Sequence, residues 1–401
     1  MNREFIDFVT THEHEDTARL LLSAARYPSI DMPAAVQQIE GRRTAREKWP
    51  SLLACDDFLY PPRLNREQAS SEETARHKAA LLAADAQPLS VADLTGGMGI
   101  DTLAFAAVAA EVHYVERNLQ LCRLMEHNGK ALGQENIRVH CADCLQWLST
   151  LHSPFSALFV DPARRSASGR KVAAFEDCEP DILQHLGLLR SRCRWLMVKA
   201  SPMIDIDLAC RQLGAVAAVH VVSVRGECKE VLFVCCGAAA VAPPEPVIRC
   251  TMLPHSPLSA LRSPLRFTRS EEAAAEARYC AAVGSYLYEP DAALMKGGPF
   301  NLICQWMDLQ KLAPNTHLYT ADRLVDAFPG RTFRVLQELK PSRKAVAAAI
   351  PDGRAHVVTR NYPVEAAALQ RQLGLKEGGD LFVVAATVGT RPCAFLCRRE
   401  G

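Results

Sequence analysis

The sequence predicts an α/β protein: a mainly parallel sheet with helices on both faces, preceded by helices and followed by smaller α+β segments. Three observations carry this prediction. Strand and helix patterns alternate from about residue 76 to 240. The last two strands of that region are joined only by RGECK, too short for a parallel crossover, so they should pair antiparallel. After a Pro- and Ala-rich linker, AAAVAPPEP at 238–246, the alternation gives way to shorter mixed elements.

Residues 1–75 read as a helical subdomain. HEDTARLLLSAAR places Ala18, Leu21, Leu22 and Ala25 on one helical face. MPAAVQQIEGRRTAREKW has Pro33 near a helix start, where a missing N–H costs nothing. The Pro pair in YPP, 60–62, ends this portion. Residues 76–240 hold strand candidates at 89–95, 111–116, 136–142, 155–161, 194–200, 217–224 and 230–236. Six parallel strands closed by one antiparallel hairpin is the expected sheet. Residues 247–325 should form a small α+β segment with a helix around SEEAAAEARYCAAVGSYL. Residues 326–401 should form a last α+β domain, with VEAAALQRQLGL as a helix and DLFVVAATVG as a strand. From 331 to 401 there are 12 Lys/Arg against 6 Asp/Glu, a net of +6.

Composition excludes several classes. At 401 residues the chain is long enough for two or three domains, and 49% apolar with 23% charged residues is ordinary for a globular protein. A net charge of +1 argues against a surface that is basic throughout, and leaves room for a local basic patch. MNREFIDFVTTHEHED lacks the basic and apolar regions of a signal peptide, and no apolar run reaches membrane-spanning length. Fifteen cysteines at no regular spacing read as reduced thiols, so a cytoplasmic protein without a membrane partner is expected.

The chemistry concentrates in the middle region. DLTGGMGIDTLAF follows the first strand and opens a helix; its glycines at 96, 97 and 99 allow a tight turn in which backbone N–H groups approach a ligand. Thr102 stands where a dinucleotide fingerprint has its third glycine, and Asp93 would repel a pyrophosphate but suit an ammonium group. Glu116 ends the second strand, where a carboxylate can accept ribose hydroxyls. Asp143 ends the third strand, within reach of an adenine amino group, and Asp161 ends the fourth. Any one of these acids alone would read as a helix N-cap. Four together at the carboxyl edge, with a glycine loop, read as a site.

DLTGGMGIDT, YVE, CAD and VDP resemble motifs I to IV of the class I S-adenosylmethionine-dependent methyltransferases, whose Rossmann-like seven-stranded sheet has the same final hairpin. The resemblance covers about residues 76–236. It implies that S-adenosyl-L-methionine is the cofactor, with Gly97 and Gly99 against its methionine part, Asp93 near its amino group, Glu116 on the ribose and Asp143 on the adenine. Thr95, Thr102, Arg117 and Cys144 complete the expected cofactor set. The lead-in NREQASSEETARHKAALL is similar to that of RNA guanine-N2 and cap-trimethylating enzymes, which implies that Ser70, Ser71 and Thr74 touch the cofactor's carboxylate. Further segments, YLYEPDAALMKGG and RNYPVEAAALQRQLGLKEGGDLFVVAAT, resemble a bacterial methyltransferase family with a ferredoxin-like segment and a THUMP-like domain. THUMP domains accompany enzymes that modify tRNA, so the resemblance implies RNA, tRNA or rRNA, as partner.

VDPARRSASGRK, 160–171, is the expected acceptor loop. Amine-methylating relatives carry Asp/Asn-Pro-Pro-aromatic here, where the side chain and a backbone carbonyl accept from the target amine and the ring stacks on a flipped base. Asp161 and Pro162 match; Ala163 and Arg164 depart from the pattern. A guanidinium can stack on a base or clamp a phosphate, so Arg164, Arg165, Arg170 and Lys171 are read as steering RNA to Asp161. Lys199 ends strand five beside the same pocket and could touch the acceptor, pair with Asp161, or snorkel to the surface. HCADC has no second cysteine pair at zinc spacing, so no metal is expected. A sulfonium carries its own leaving group, which explains why no hydrolytic dyad or triad is present. Two other classes stay open: an RNA-binding factor with a non-catalytic methyltransferase fold, and a methyltransferase of protein or small molecules.

Overall fold

The structure, a computed structural model, describes residues 3–84, 89–164, 175–253 and 264–400. The chain forms two compact units, Met1–Val219 with Val231–Pro244, and His220–Glu230 with Glu245–Gly401.

The first unit holds the strands β1 (Ser90–Asp93), β2 (Glu111–Glu116), β3 (Ile137–Cys141), β4 (Phe155–Val160) and β5 (Cys193–Ala200), with the start of β6 (Val216–Val224) and the end of β7 (Glu227–Cys236), whose hairpin tip His220–Glu230 is counted with the second. They lie in the order β6-β7-β5-β4-β1-β2-β3. The pairs β1–β2, β2–β3, β1–β4 and β4–β5 are parallel, and β5–β7 is antiparallel, with Trp195 opposite Cys236. The order reverses between β1 and β4, which opens a crevice at their carboxyl ends. Both faces of the central strands are covered, so Val91, Val112, Leu158, Val160, Leu196 and Val198 are fully buried.

The N-terminal helices pack on this core. Trp49, Phe58 and Tyr60 are buried with Ala75, Met98 and Ile100, beside the glycine loop. Asn128 exchanges hydrogen bonds with the backbone of Leu59, at 2.8 and 2.9 Å. Trp49 and Tyr60 are therefore core residues. The expected apolar face at residues 18–25 is corrected: Leu20 is buried, whereas Ala18, Leu21, Leu22 and Ala25 are exposed. The α-helix stops at Leu22 and a 3₁₀ turn, Ala24–Arg26, follows, so a 3.6-residue period does not run through the segment.

In the second unit β8 (Val247–Leu253) pairs antiparallel with β9 (Leu265–Phe267). A seven-stranded sheet follows, from β10 (Tyr286–Pro290), β11 (Gln310–Ala313), β12 (Thr316–Ala321), β13 (Gly330–Leu339), β14 (His356–Arg360), β15 (Leu381–Val388) and β16 (Arg391–Glu400), in the order β11-β12-β10-β13-β16-β15-β14. The helices Arg343–Ala349 and Ala366–Leu373 bury Val346, Leu369 and Leu373 against Val383, Ala385 and Leu396. The long helix expected around residues 270–287 is corrected: it ends at Ala274. Arg278 and Cys280 instead exchange backbone hydrogen bonds with Lys311, and Tyr286 enters β10, so strand pairing overrides the alanine-rich helix propensity. No helix among the described residues is long and apolar enough to cross a membrane.

Candidate active site

The loop after β1 is built by three glycines with two different tasks. A Cβ on Gly96 would lie 2.2 Å from the Tyr114 ring, and one on Gly99 would lie 2.4 Å from Met125 Sδ. Those two positions let the loop close onto β2 and the helix Leu119–Ala131. A Cβ on Gly97 would meet nothing nearer than the Thr95 carbonyl oxygen at 3.7 Å, so this glycine faces open space. Gly97 and Gly99 both have positive φ, +53° and +83°. The Tyr114 hydroxyl donates to the Gly97 carbonyl at 2.7 Å, and the Gly97 N–H donates to Glu116 Oε2 at 3.0 Å.

Asp93 is almost fully buried. Its carboxylate accepts from the Thr102 hydroxyl at 2.7 Å and from the Thr95 N–H at 3.1 Å. Burial pushes its pKa up to about 7, against the opposing pull of those two hydrogen bonds. Asp93 therefore braces the loop, and Thr102 takes part in that brace. Thr95 also accepts from the Asp161 N–H at 2.7 Å, which ties the loop to the end of β4.

The remaining acids line the carboxyl edge. Glu116 Oε1 accepts from the Asn118 N–H at 2.8 Å, so one carboxylate organises both the glycine loop and the turn after β2. Asp143 is exposed and caps the helix Cys144–Ser149, accepting from the N–H groups of Leu145 and Gln146 through Oδ1. Cys144 is half-buried, and burial pushes its thiol up to about 11. Arg117 forms an ion pair with Glu179, which follows β4 in the chain. Glu179 belongs to a two-residue ladder in which Ala163 pairs with Glu179 and Arg164 with Cys178.

At the ends of β4 and β5, Lys199 Nζ lies 2.5 Å from Asp161 Oδ2 and 3.3 Å from Ser70 Oγ. Ser70 Oγ donates to Asp101 Oδ2 at 2.7 Å and accepts from Lys78 Nζ at 3.2 Å. Lys78, fully buried, stands 3.1 Å from Asp101 Oδ1. Two ammonium groups thus converge on one hydroxyl, and two carboxylates answer them. Of the two other lead-in residues expected on the cofactor, Ser71 caps the helix Glu72–Ala83 and Thr74 donates back to the Ser71 carbonyl. Pro162 follows Asp161 into the ladder, only the backbone of Arg164 is described, and Arg165, Arg170 and Lys171 lie outside the described residues.

Lys78, Asp101 and Glu179 were not anticipated. Lys78 carries a readable signal, because it falls in the inward stripe Ala75–Lys78–Ala79–Leu82 of its helix. A charge placed there must be paired. The open backbone at Gly97 and the carboxylates of Glu116 and Asp143, after β2 and β3, lie along the same carboxyl edge of the sheet.

Family models match residues 286–329 as a ferredoxin-like domain and 330–399 as THUMP domain-like. The chain is 28% identical over 347 residues to an uncharacterised S-adenosylmethionine-dependent methyltransferase from two strains of Mycobacterium tuberculosis, covering 83% of this chain and 87% of that protein. The crystal structure of a candidate methyltransferase from Porphyromonas gingivalis W83 superposes with a TM-score of 0.84 at 30% identity, covering 99% of this chain and 98% of that one. With this fold, this edge and these relatives, the chain belongs to the S-adenosylmethionine-dependent methyltransferases that end in a THUMP-like domain.

Proposed function

We propose that the protein methylates a base in structured RNA, tRNA or rRNA, and that its basic C-terminal domain helps to hold that RNA. The observation that carries the proposal is the coincidence of the THUMP-like segment, 330–399, with the chain's cationic excess, net +6 over residues 331–401.

Bound S-adenosyl-L-methionine supplies an activated methyl group together with its own leaving group. The chain's part is then binding and alignment. Gly97 and Gly99 shape the loop against which the methionine part would rest, while Asp93, Thr95 and Thr102 hold that loop in shape. Glu116 would accept from the ribose and Asp143 from the adenine, with Arg117 and Cys144 beside them. Ser71 and Thr74 begin the lead-in helix next to Ser70. Asp161, with the carbonyl of Pro162, would accept from the acceptor amine, and Lys199 holds the Asp161 carboxylate in place. Arg164 would contact the RNA.

The test is transfer of labelled methyl from S-adenosylmethionine to separate pools of unmodified tRNA, rRNA, DNA and protein, with Asp161→Ala as control. Label in one RNA pool, lost in the variant, is expected. Label in protein alone, or cofactor binding without label in any pool, overturns the proposal.

A further inference from the structure

We infer that a row of side chains across the C-terminal sheet, centred on Arg334 and Arg398, is a phosphate-binding strip for RNA; the inference rests on the RNA substrate proposed above. β13 and β16 pair antiparallel with Arg334 directly opposite Arg398. The row continues on both sides, with Tyr286 of β10 opposite Arg334 and Leu381 of β15 opposite Arg398. Directly opposed residues share a face. Arg398 has the same strand parity as Leu396, and Leu381 the same as Val383, so the row lies on the helix-bearing face, past the part those helices cover.

Both arginines are exposed. Like charges directly opposite each other destabilise a sheet, so nothing in the domain's own folding favours this pairing. Among the described residues neither arginine has an ion-pair partner. The contrast lies in the same sheet, where Arg331 and Arg360 converge on the buried carboxylate of Glu289. Glu400 shares the face two residues beyond Arg398 and pairs with neither arginine among the described residues. Two guanidinium forks side by side offer bidentate hydrogen bonds to successive phosphates, and a polyanion removes the repulsion between them. Tyr286, at the end of the row, adds a ring on which an unpaired base can stack.

The test uses the full chain carrying Arg334→Ala with Arg398→Ala, and a second variant carrying Arg334→Lys with Arg398→Lys. Affinity for unmodified bulk tRNA is read by fluorescence anisotropy across a potassium chloride series. The alanine pair is expected to weaken binding about tenfold and to flatten the log–log salt slope by about two, one per lost phosphate contact. The lysine pair keeps the slope and loses part of the affinity, because charge remains and the fork is gone. S-adenosylmethionine binding stays unchanged, and the alanine pair unfolds at the same temperature as wild type or higher, since a repulsion has been removed. If wild type binds tRNA and the alanine pair binds it equally with the same slope, the strip is overturned and the RNA substrate stands. If wild type binds neither bulk tRNA nor, in the same assay, unmodified rRNA, the substrate proposal falls and the strip with it. Equal loss toward poly-glutamate, or a lower unfolding temperature in the alanine pair, also overturns the strip.

Discussion

The ammonium of Lys199 meets the carboxylate of Asp161 at 2.5 Å, and strand register accounts for it: Val160 of β4 lies opposite Val198 of β5, so the next residues emerge side by side at the carboxyl edge. The Lys199 side chain is 14% exposed and that of Asp161 34%, so the pair is neither a freely solvated surface bridge nor a dry one. Replacing Lys199 by Met leaves Asp161 without this partner. The expected cost is about 1–3 kcal/mol of stability in urea unfolding, with at least a tenfold loss of methyl transfer, equivalent to roughly 1.4 kcal/mol of barrier. Affinity for S-adenosylmethionine, measured by calorimetry, should stay within about twofold of wild type. A transfer rate equal to wild type would separate Lys199 from the reaction.

The glycines of the loop should respond differently to the same substitution. Both sit at positive φ, where an added Cβ costs roughly 1–2 kcal/mol. Gly99→Ala also drives a carbon to within 2.4 Å of Met125 Sδ, so overpacking adds about 1–3 kcal/mol. Gly97→Ala meets open space and should lose mainly cofactor affinity. Calorimetric unfolding and cofactor titration on the two variants check this ordering: Gly99→Ala less stable, Gly97→Ala more stable but poorer in binding.

What the sequence made readable here was what is encoded locally. Strand ends, the glycine loop and the acids that follow each strand are short patterns, and the antiparallel pairing of the last hairpin follows from the shortness of its connection. The Arg117–Glu179 contact joins segments that no pattern links, one after β2 and the other after β4. Lys78 is legible as a charge in an inward helical stripe, but its partner Asp101 arrives from the other side of β1 and no pattern names it. Ser70 reads as a cofactor contact, and its part in the contacts with Asp101, Lys78 and Lys199 has no local signature. The helical misreadings at residues 18–25 and 270–287 have a common cause, since both segments are apolar enough for a helix and their conformation is fixed by neighbours far away in sequence or by a tightened turn.

Asp93 predicts a pH effect with a definite sign. Its folded pKa is raised to about 7 from the ordinary 3.8, so the folded state binds the extra proton between those values. Its contribution is greatest at low pH, is lost as pH rises toward 7, and is constant above. Asp93→Asn removes this dependence, with an amide N–H₂ donating to the Thr102 hydroxyl in place of Oδ2. The stability difference, variant minus wild type, should therefore grow from about pH 4 to 7 and then level off. The histidines act oppositely: burial lowers His77 and His317 to about 4, and burial with His113 lowers His140. Their neutral forms support the fold fully above about pH 6.5, and that support is lost as pH falls toward 4. Denaturant titrations at half-unit pH steps on both proteins separate the two slopes. A stability difference that is flat from pH 4 to 8 would contradict the burial of a protonated Asp93.

Arg117 and Glu179 are both largely solvated, with side chains 67% and 47% exposed. Such a pair contributes little to folding, about 0–1 kcal/mol. Its consequence should be local, because it links the residue beside Glu116 to the segment paired with Ala163, and so joins two parts of the sheet's carboxyl edge. Arg117→Glu is expected to leave the unfolding free energy within about 0.5 kcal/mol of wild type, as surface changes generally do. The same variant should raise the dissociation rate of S-adenosylmethionine by roughly threefold to tenfold, equivalent to about 0.7–1.4 kcal/mol. Adding Glu179→Arg restores the pair in reverse and should recover most of that loss. Stopped-flow displacement of the cofactor from the single and double variants measures the coupling directly. If the double variant releases cofactor as fast as the single one, Arg117 acts on the ligand itself and the bridge to Glu179 is incidental.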